Sequence, residues 1–427
     1  MQNDPLSHGL WEMTAPPAPP TSPLVGQVKA DVAVVGCGYT GLSAALRLAE
    51  SGAKVVTLEA VEVGFGGAGR NVGYVNAGMW VLPSEIPKAL GADYGERALT
   101  VLAGGPAVVW ETIDKYKIDC DPVRNGTLHC AVDRSGVADN EERARQWAGR
   151  GAPVRALSAA ETAARVGADV YAGSLLDMRA GTIQPLAYAR GLADAAIAAG
   201  AAVHTKSPVR AAERTGRSWT LRTDAGSVAA DWVAVATEAY GGAPWPQVRR
   251  EQVLLPYFNF ATLALSPDLQ ASILPGREGC WDTNKIMSYF RFDRAGRMVF
   301  GSVGALRGMG LAIHRSWAKR VLRKIFPRIG AVEFEHQWYG MIGMTDNALP
   351  RFHRLADNVV TFCGYNGRGI GTGTVFGRVL ADHILGRIAE SDLPLPVTEP
   401  DAPALPAVKE AYYEAGAQIA HAVGAWL

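Results

Sequence analysis

The residues best suited to chemistry near the start of the chain are three glycines, Gly36, Gly38 and Gly41. They follow an apolar run at residues 32–35, which is typical of a strand buried in a parallel sheet. Gly36 allows a tight turn out of the strand, Gly38 lets a pyrophosphate approach the backbone, and Gly41 lets a helix pack closely. The spacing therefore predicts a phosphate-binding turn that opens a helix.

An acidic residue after the next strand completes the pattern. Apolar spacing predicts a helix over residues 40–51, which ends at Gly52, and a strand over residues 54–58. Glu59 stands 18 positions after Gly41, where a carboxylate can accept hydrogen bonds from ribose hydroxyls. Because a carboxylate repels a 2′-phosphate, NADP is disfavoured. The pattern predicts an adenine dinucleotide site and hence a redox enzyme.

Two further segments are rich in glycine. The first glycine loop, residues 64–74, contains five glycines, which argues against a helix or a regular strand there. The second glycine loop, residues 364–373, follows an apolar strand at residues 359–363 and precedes an amphipathic helix. One long cofactor that contacts both ends of the chain would explain both loops.

On these motifs the chain resembles the D-amino-acid oxidase/glycine oxidase family of FAD oxidoreductases, and within it the gamma-glutamylputrescine oxidase-like branch. The resemblance covers about residues 9–385. It rests on Asp31-Val32-Ala33-Val34-Val35-Gly36-Cys37-Gly38-Tyr39-Thr40-Gly41-Leu42, Gly69-Arg70-Asn71, Gln337-Trp338-Tyr339-Gly340, Thr345-Asp346-Asn347-Ala348-Leu349-Pro350 and Gly364-Tyr365-Asn366-Gly367-Arg368-Gly369. It implies FAD as cofactor, with contacts from Gly36, Gly38, Tyr39, Thr40, Gly41, Glu59, Ala60, Gly69, Arg70, Asn71, Gly73, Val209, Thr237, Gly364, Asn366, Gly367, Arg368, Gly369 and Ile370.

The resemblance also implies a reaction. Hydride passes from an amine carbon to flavin N5, the imine hydrolyses to a carbonyl compound and an amine or ammonia, and O2 is reduced to H2O2. FAD is expected to bind non-covalently. Relatives that link the flavin use a His in the first glycine loop or a Cys near Trp338-Tyr339-Gly340, and this chain has neither.

Three alternatives stay open on the sequence. The same flavin chemistry could pass electrons to a quinone or a carrier protein instead of O2. The chain could be a catalytically inactive FAD-binding subunit. An NAD-dependent dehydrogenase is disfavoured, because it would leave the second glycine loop unexplained.

The substrate end departs from the family. Amino-acid oxidases of the family hold the substrate carboxylate with an Arg two residues beyond the glycine of Trp338-Tyr339-Gly340, and Ile342 occupies that position here. Arg368 could supply a charge, but it stands one place from the family's second Arg, and a contact with backbone or flavin is favoured. A simple α-amino acid is therefore disfavoured as substrate, and an amine is favoured.

Aromatic residues are the candidates for the substrate pocket, because aromatic walls suit a neutral or cationic amine. For Tyr257, Phe258, Trp281 and Tyr289, core packing of a second domain is an equally good explanation. Tyr365 differs because it lies in the second glycine loop. The candidates are Tyr257, Phe258, Trp281, Tyr289 and Tyr365, of which all but Phe258 are assigned to the catalytic site.

Composition excludes several classes of protein. The chain has 427 residues, 48% hydrophobic and 19% charged, with a net charge of +1, so no nucleic-acid partner is expected. Five widely spaced cysteines indicate neither a disulfide framework nor a metal site. We expect no membrane span, no secretory signal and a cytoplasmic location. Substrate identity and oligomeric state are not specified by the sequence.

The expected fold is α/β, with a Rossmann-like FAD-binding domain on a parallel sheet and an α+β substrate domain on an antiparallel sheet. Residues 1–27 are predicted to form an extended, Pro-rich arm on the surface. The FAD-binding domain is assigned to residues 28–83, 156–245 and 336–385, and the substrate domain to residues 84–155 and 246–335. Residues 386–427 form a tail with a helix from about residue 408.

Overall fold

A computed structural model describes residues 8–424 and contains two large sheets. The first sheet carries the cofactor pattern, and its central strands pair in parallel: Gly26–Val35 lies between Gly226–Val235 and Val55–Leu58. Residues 32–35 are buried, as an internal strand of a parallel sheet requires. In the described chain the first sheet has nine strands. Seven follow in spatial order: Val397–Thr398, Arg351–Ala356, Val359–Cys363, Gly226–Val235, Gly26–Val35, Val55–Leu58 and Ala202–His204. Ser218–Arg222 also pairs with Gly226–Val235, and Ala211–Thr215 pairs with Ser218–Arg222.

The second sheet is mostly antiparallel and forms the other half of the molecule. Its aromatic strands pack Phe258, Phe260, Phe290 and Phe300 into one buried cluster. In spatial order its described strands are Phe334–Met344, Val253–Ala264, Arg297–Val303, Ser288–Phe292, Gly279–Asp282, Thr127–Ala131, Gly173–Asp177 and Val154–Ser158. A small separate pair joins Tyr74–Val75 and Gly181–Thr182. The expected α/β class with two different sheets is confirmed.

Helices cover the first sheet and surround the second. The helix Tyr39–Glu50 packs against Gly369–Ile384 and Pro185–Ala198 beside the first sheet. No helix among residues 8–424 is long and apolar enough to cross a membrane. The remaining described helices, including short 3₁₀ turns, are Leu10–Thr14, Gly67–Arg70, Glu85–Leu90, Ala92–Tyr116, Arg134–Ala148, Ala159–Val166, Glu238–Tyr240, Pro246–Arg250, Pro267–Ser272, Gly310–Ile325, Pro327–Ile329, Glu390–Asp392 and Pro406–Ala422.

Two local predictions are wrong. In the described part of the Pro-rich arm, residues 8–27, Leu10–Thr14 is helical and both Leu10 and Trp11 are fully buried, so this part is not merely extended on the surface; residues 1–7 lie outside the described residues. The first glycine loop contains the helical turn Gly67–Arg70. The Asn71 amide donates to the carbonyls of Gly67 and Ala68, which satisfies backbone groups that a single turn leaves unpaired.

Sheet membership also differs from the predicted domain bounds. Phe334–Met344 pairs with Val253–Ala264 in the second sheet, so the chain returns to the first sheet only at Arg351. Val154–Ser158 and Gly173–Asp177 likewise belong to the second sheet, although residues from 156 onward were assigned to the FAD-binding domain. These strands join by long-range pairing that local patterns do not show. The division into domains otherwise stays a prediction.

Candidate functional site

The glycine turn has the geometry that its spacing predicts. Gly36 has φ 108°, and a Cβ there would lie 2.7 Å from the Ala236 carbonyl oxygen. A Cβ on Gly41 would lie 2.0 Å from the Gly36 carbonyl oxygen, so only glycine permits this contact between helix and turn. Gly38 caps the helix Tyr39–Glu50 without a side-chain hydrogen bond, which leaves the first N–H groups of the helix available to an anion.

Glu59 lies at the carboxyl end of the strand Val55–Leu58, beside this turn. Its Oε2 accepts a hydrogen bond from the Cys37 N–H at 2.8 Å, and its Oε1 accepts one from the Val61 N–H at 3.0 Å. Burial raises the pKa of the carboxyl, and the three backbone N–H groups around it oppose that shift. Each oxygen keeps lone-pair capacity for a further donor such as a ribose hydroxyl.

One cavity of about 600 Å³ runs from the glycine turn to the second sheet. This volume is within the range of cofactor and ligand sites. Of the predicted cofactor residues, the cavity is lined by Gly36, Gly38, Tyr39, Thr40, Glu59, Ala60, Asn71, Val209, Thr237, Gly367, Gly369 and Ile370. All four predicted catalytic residues, Tyr257, Trp281, Tyr289 and Tyr365, line it as well.

The other predicted cofactor residues support the cavity wall from outside. Arg70 is buried, and its guanidinium donates to the carbonyls of Phe65 and Tyr339, which joins the first glycine loop to the second sheet. The Asn366 side chain accepts from Thr345 N–H at 2.9 Å. The set outside the lining is Gly41, Gly69, Arg70, Gly73, Gly364, Asn366 and Arg368. Their assignment as cofactor contacts stays a prediction.

Arg368 is not among the residues that line this cavity. Its guanidinium donates to the Ala77 carbonyl at 2.7 Å and lies 4.6 Å from the Trp80 ring centroid. Burial lowers its pKa to about 9. The side chain therefore stabilises the segment that follows the first glycine loop.

Three aromatic side chains converge from neighbouring strands of the second sheet. Tyr257, Trp281 and Tyr289 are each less than a tenth exposed. The Tyr289 hydroxyl donates to the Phe258 carbonyl at 2.8 Å. The Tyr257 hydroxyl and Trp281 Nε1 are buried without a hydrogen-bond partner in the described chain. Burial raises the pKa of Tyr257, so this hydroxyl remains a neutral donor.

The Tyr365 hydroxyl, unlike that of Tyr257, already has hydrogen-bond partners within the protein. It lies 2.7 Å from Thr40 Oγ1 and donates to the Phe362 carbonyl at 3.3 Å. Burial raises its pKa above the ordinary range. Tyr365 thus fastens the second glycine loop to the helix Tyr39–Glu50, while its ring faces the cavity. Its catalytic assignment stays a prediction.

Several lining residues were missed by the sequence reasoning. Trp80 donates to the Asn366 carbonyl at 2.6 Å, and the Tyr240 hydroxyl accepts from the Met341 N–H at 2.8 Å. Glu238 directly follows Thr237 near the carboxyl end of Gly226–Val235. Ligands bind at such ends in parallel sheets, so this rule could have singled out Glu238. The principal missed residues are Phe65, Tyr74, Asn76, Trp80, Glu238, Tyr240, Met287 and Met341.

Positive charge is confined to one end of the cavity. Arg210 is the one Lys or Arg that lines it within residues 8–424. The Ser207 N–H donates to the Glu59 carbonyl, which places this segment at the Glu59 end. Arg210 also forms an ion pair with Asp224 at 2.9 Å. Ile342 lines the cavity from the strand Phe334–Met344 of the second sheet.

The residues present fit FAD. Gly38 leaves the helix N-terminus bare, and Glu59 faces the same cavity with free acceptor capacity. The Tyr257 hydroxyl and Trp281 Nε1 are unpaired donors at the other end, and buried unpaired donors are costly unless a ligand accepts from them. A long ligand fits these features when its ribose meets Glu59, its phosphates meet the helix N-terminus, and its far end carries hydrogen-bond acceptors.

Comparison with known proteins gives the same cofactor. A family described as "FAD dependent oxidoreductase" matches residues 31–383. Gamma-glutamylputrescine oxidoreductase of Escherichia coli is 33% identical over 371 residues, which cover 86% of each chain. A probable oxidoreductase of Rhizobium meliloti is 30% identical over 393 residues, or 91% of each chain.

Solved structures share the fold. Glycine oxidase from Geobacillus kaustophilus superposes with a TM-score of 0.69 at 22% identity and covers 85% of this chain and 96% of its own. Iminodiacetate oxidase from Chelativorans sp. superposes with a TM-score of 0.65 at 19% identity and covers 87% and 100%. With the family match over most of its length, this chain belongs to the DAO family of FAD-dependent oxidoreductases.

Proposed function

We propose that the protein oxidises a C–N bond of an amine or a modified amino compound with non-covalently bound FAD. When bound, FAD accepts hydride from the substrate carbon and passes the two electrons to O2, which yields H2O2. The imine product hydrolyses to a carbonyl compound and an amine or ammonia. The E. coli relative, named for gamma-glutamylputrescine, supports an amine substrate.

The charge distribution of the cavity carries this proposal. An α-amino acid needs a cation near the reacting carbon to hold its carboxylate. Ile342 lines the cavity from the second sheet, and the lone cationic side chain of the described lining, Arg210, belongs to the segment that contacts Glu59. Arg368 contacts the Ala77 carbonyl and the Trp80 ring and is not part of this lining. The site therefore suits a substrate without a carboxylate beside the reacting carbon.

The aromatic end also suits the required protonation state. An amine must be uncharged to release hydride, and an apolar site favours the free base. Tyr257 and Trp281 line the cavity, and the Tyr257 Oη–H and the Trp281 Nε1–H are donors without a partner in the described chain. These donors can orient the substrate or the cofactor without adding charge.

An anaerobic panel tests the proposal. Purified holoenzyme is mixed with amines, N-methyl amines, gamma-glutamyl amines and ordinary D-amino acids, and flavin bleaching is followed. We expect the best amine to bleach the flavin at least about tenfold faster than any D-amino acid, because one missing charge-assisted contact weakens binding by about 1.5–3 kcal/mol. Fast bleaching by ordinary D-amino acids would contradict the proposal. Peroxide measured after O2 is admitted separates an oxidase from a dehydrogenase.

A Tyr257→Phe variant tests the unpaired hydroxyl. If the hydroxyl donates to the substrate, its loss should slow anaerobic bleaching by the best amine about fivefold, as expected for one hydrogen bond of about 1 kcal/mol. FAD content should not change. Tyr412→Phe is the matched control, because Tyr412 is 72% exposed on the tail helix. An unchanged bleaching rate in Tyr257→Phe would remove this role.

A further inference from the structure

Glu238 is an ionisable residue in an unusual place. It begins the short turn Glu238–Tyr240 just beyond the strand Gly226–Val235 and lines the cofactor cavity. Its φ is 47°, in the left-handed region that favours glycine or asparagine. Non-glycine residues in this conformation concentrate at functional sites.

Its carboxylate connects two walls of the cavity. Oε1 accepts hydrogen bonds from the Gly364 N–H at 3.2 Å and the Tyr365 N–H at 3.3 Å. Oε2 accepts from the Ala239 N–H. Glu238 therefore joins the end of Gly226–Val235 to the second glycine loop.

The same segment packs against the glycine turn. A Cβ on Gly36 would lie 2.7 Å from the Ala236 carbonyl oxygen, and a Cβ on Gly41 would lie 3.3 Å from the Ala236 Cβ. Glu238 is two residues beyond this contact. Glu238 thus lines the same cavity as the turn and helix N-terminus that suit a pyrophosphate, with its carboxylate on the side of the second glycine loop.

Apart from the three backbone N–H groups, which favour the ionised form, the surroundings of Glu238 compensate its charge only weakly. From the helix Pro246–Arg250, Arg249 favours the ionised form, but Arg249 also pairs with Glu410 at 2.8 Å. Tyr240 beside it, and Cys363 and Tyr365 from the second glycine loop and its strand, are neutral and carry raised pKa values. Burial raises the pKa of Glu238 to about 7.

We propose that Glu238 takes up a proton from solvent when FAD binds, so that this side chain makes cofactor retention depend on pH. The physical cause is lost water together with like charge: a ligand that fills this cavity excludes water from the carboxylate and brings phosphate charges into the same cavity, and both effects disfavour the ionised form. In the FAD-free cavity the carboxyl ionises as the pH rises through about 7. FAD must then bind together with a proton.

The sign of the dependence follows by linkage. The bound state holds one more proton than the free state above neutral pH, so FAD affinity falls as pH rises, by at most about tenfold per pH unit. Below neutral pH the carboxyl is protonated in both states and affinity is flat. Glu59, the other acid of the lining, is the same in every variant compared and contributes equally to each.

The test is the FAD dissociation constant of diluted holoenzyme, read from the fluorescence of released flavin between about pH 6.5 and about pH 8.5. We expect at least about a tenfold weaker constant at the upper pH for the unmodified protein and less than about a threefold change for Glu238→Gln. A flat profile for the unmodified protein, or an unchanged slope in Glu238→Gln, overturns the proposal.

A second pair of variants keeps the test decisive if Glu238→Gln fails to fold. Glu238→Asp and Glu238→Asn differ only in whether the side chain titrates, and both residues tolerate the left-handed conformation. The Asp variant should keep a pH dependence that the Asn variant lacks; equal slopes overturn the proposal. Glu213→Gln, on the exposed strand Ala211–Thr215, should keep the profile of the unmodified protein.

Discussion

A Gly41→Ala variant should purify largely without FAD. The added Cβ would lie 2.0 Å from the Gly36 carbonyl oxygen, and that partner is backbone that no side-chain rotation can move. The helix Tyr39–Glu50 must then shift away from the glycine turn, whose Gly38 is its N-cap. Overpacking of about 2–3 kcal/mol at the phosphate site corresponds to roughly a hundredfold loss of FAD affinity. The ratio of flavin to protein absorbance after purification, and titration with added FAD, measure this loss.

Gly104→Ala is the matched control for this substitution. Gly104 lies within the helix Ala92–Tyr116, and a Cβ there meets no atom within 4 Å. Alanine favours a helix over glycine, so this variant should keep its full FAD content and equal or greater stability. Full flavin loading of Gly41→Ala would show that the helix can retreat at little cost, and the assigned role of the glycine would be wrong.

The cofactor pattern could be predicted because its physics is local. Gly36, Gly38, Gly41 and Glu59 all belong to one strand–helix–strand unit, and parallel pairing of Gly26–Val35 with Val55–Leu58 places the acid beside the turn. The predicted helix over residues 40–51 is observed as Tyr39–Glu50. Spacing along the chain was enough to specify this geometry.

The rest of the site depends on contacts between distant segments. Trp80 reaches the Asn366 carbonyl, and Phe334–Met344 pairs with Val253–Ala264 to carry Ile342 into the cavity wall. No local pattern specifies such pairings, which explains the displaced domain bounds. The aromatic candidates could be chosen but not separated from core residues: Phe258 lies in the core, whereas Tyr257 next to it faces the cavity.

The contacts of the Pro-rich arm also could not be predicted from local sequence. Its prolines predict an extended surface segment, but Trp11 is fully buried and packs edge-on against Trp338 at 5.5 Å between centroids. Trp11 Nε1 also donates to the Asn71 carbonyl at 2.9 Å. Composition gave no sign of these partners, because they lie about 60 and more than 300 residues away along the chain.

A Trp11→Ala variant should therefore lose about 3–5 kcal/mol of stability, the usual cost of removing a buried indole. Chemical denaturation of the holoenzyme measures this loss. Val25→Ala, at a position in the arm that is 74% exposed, should lie within about 0.5 kcal/mol of the unmodified protein. A Trp11→Ala variant as stable as Val25→Ala would show that the arm does not contribute to the core.

The same substitution should also weaken FAD binding, although Trp11 does not line the cavity. The Asn71 carbonyl loses its indole donor, while the Asn71 amide is the group that donates to Gly67, Ala68 and the Tyr39 hydroxyl. Loosening Asn71 frees the turn Gly67–Arg70, whose first residues form part of the cavity wall. We expect FAD affinity, measured without denaturant near neutral pH, to fall about fivefold, as for one lost hydrogen bond of about 1 kcal/mol. Lower stability with unchanged FAD affinity would mean that the arm supports the core alone, whereas a loss of both would show that the arm holds the first glycine loop in its cofactor-binding conformation.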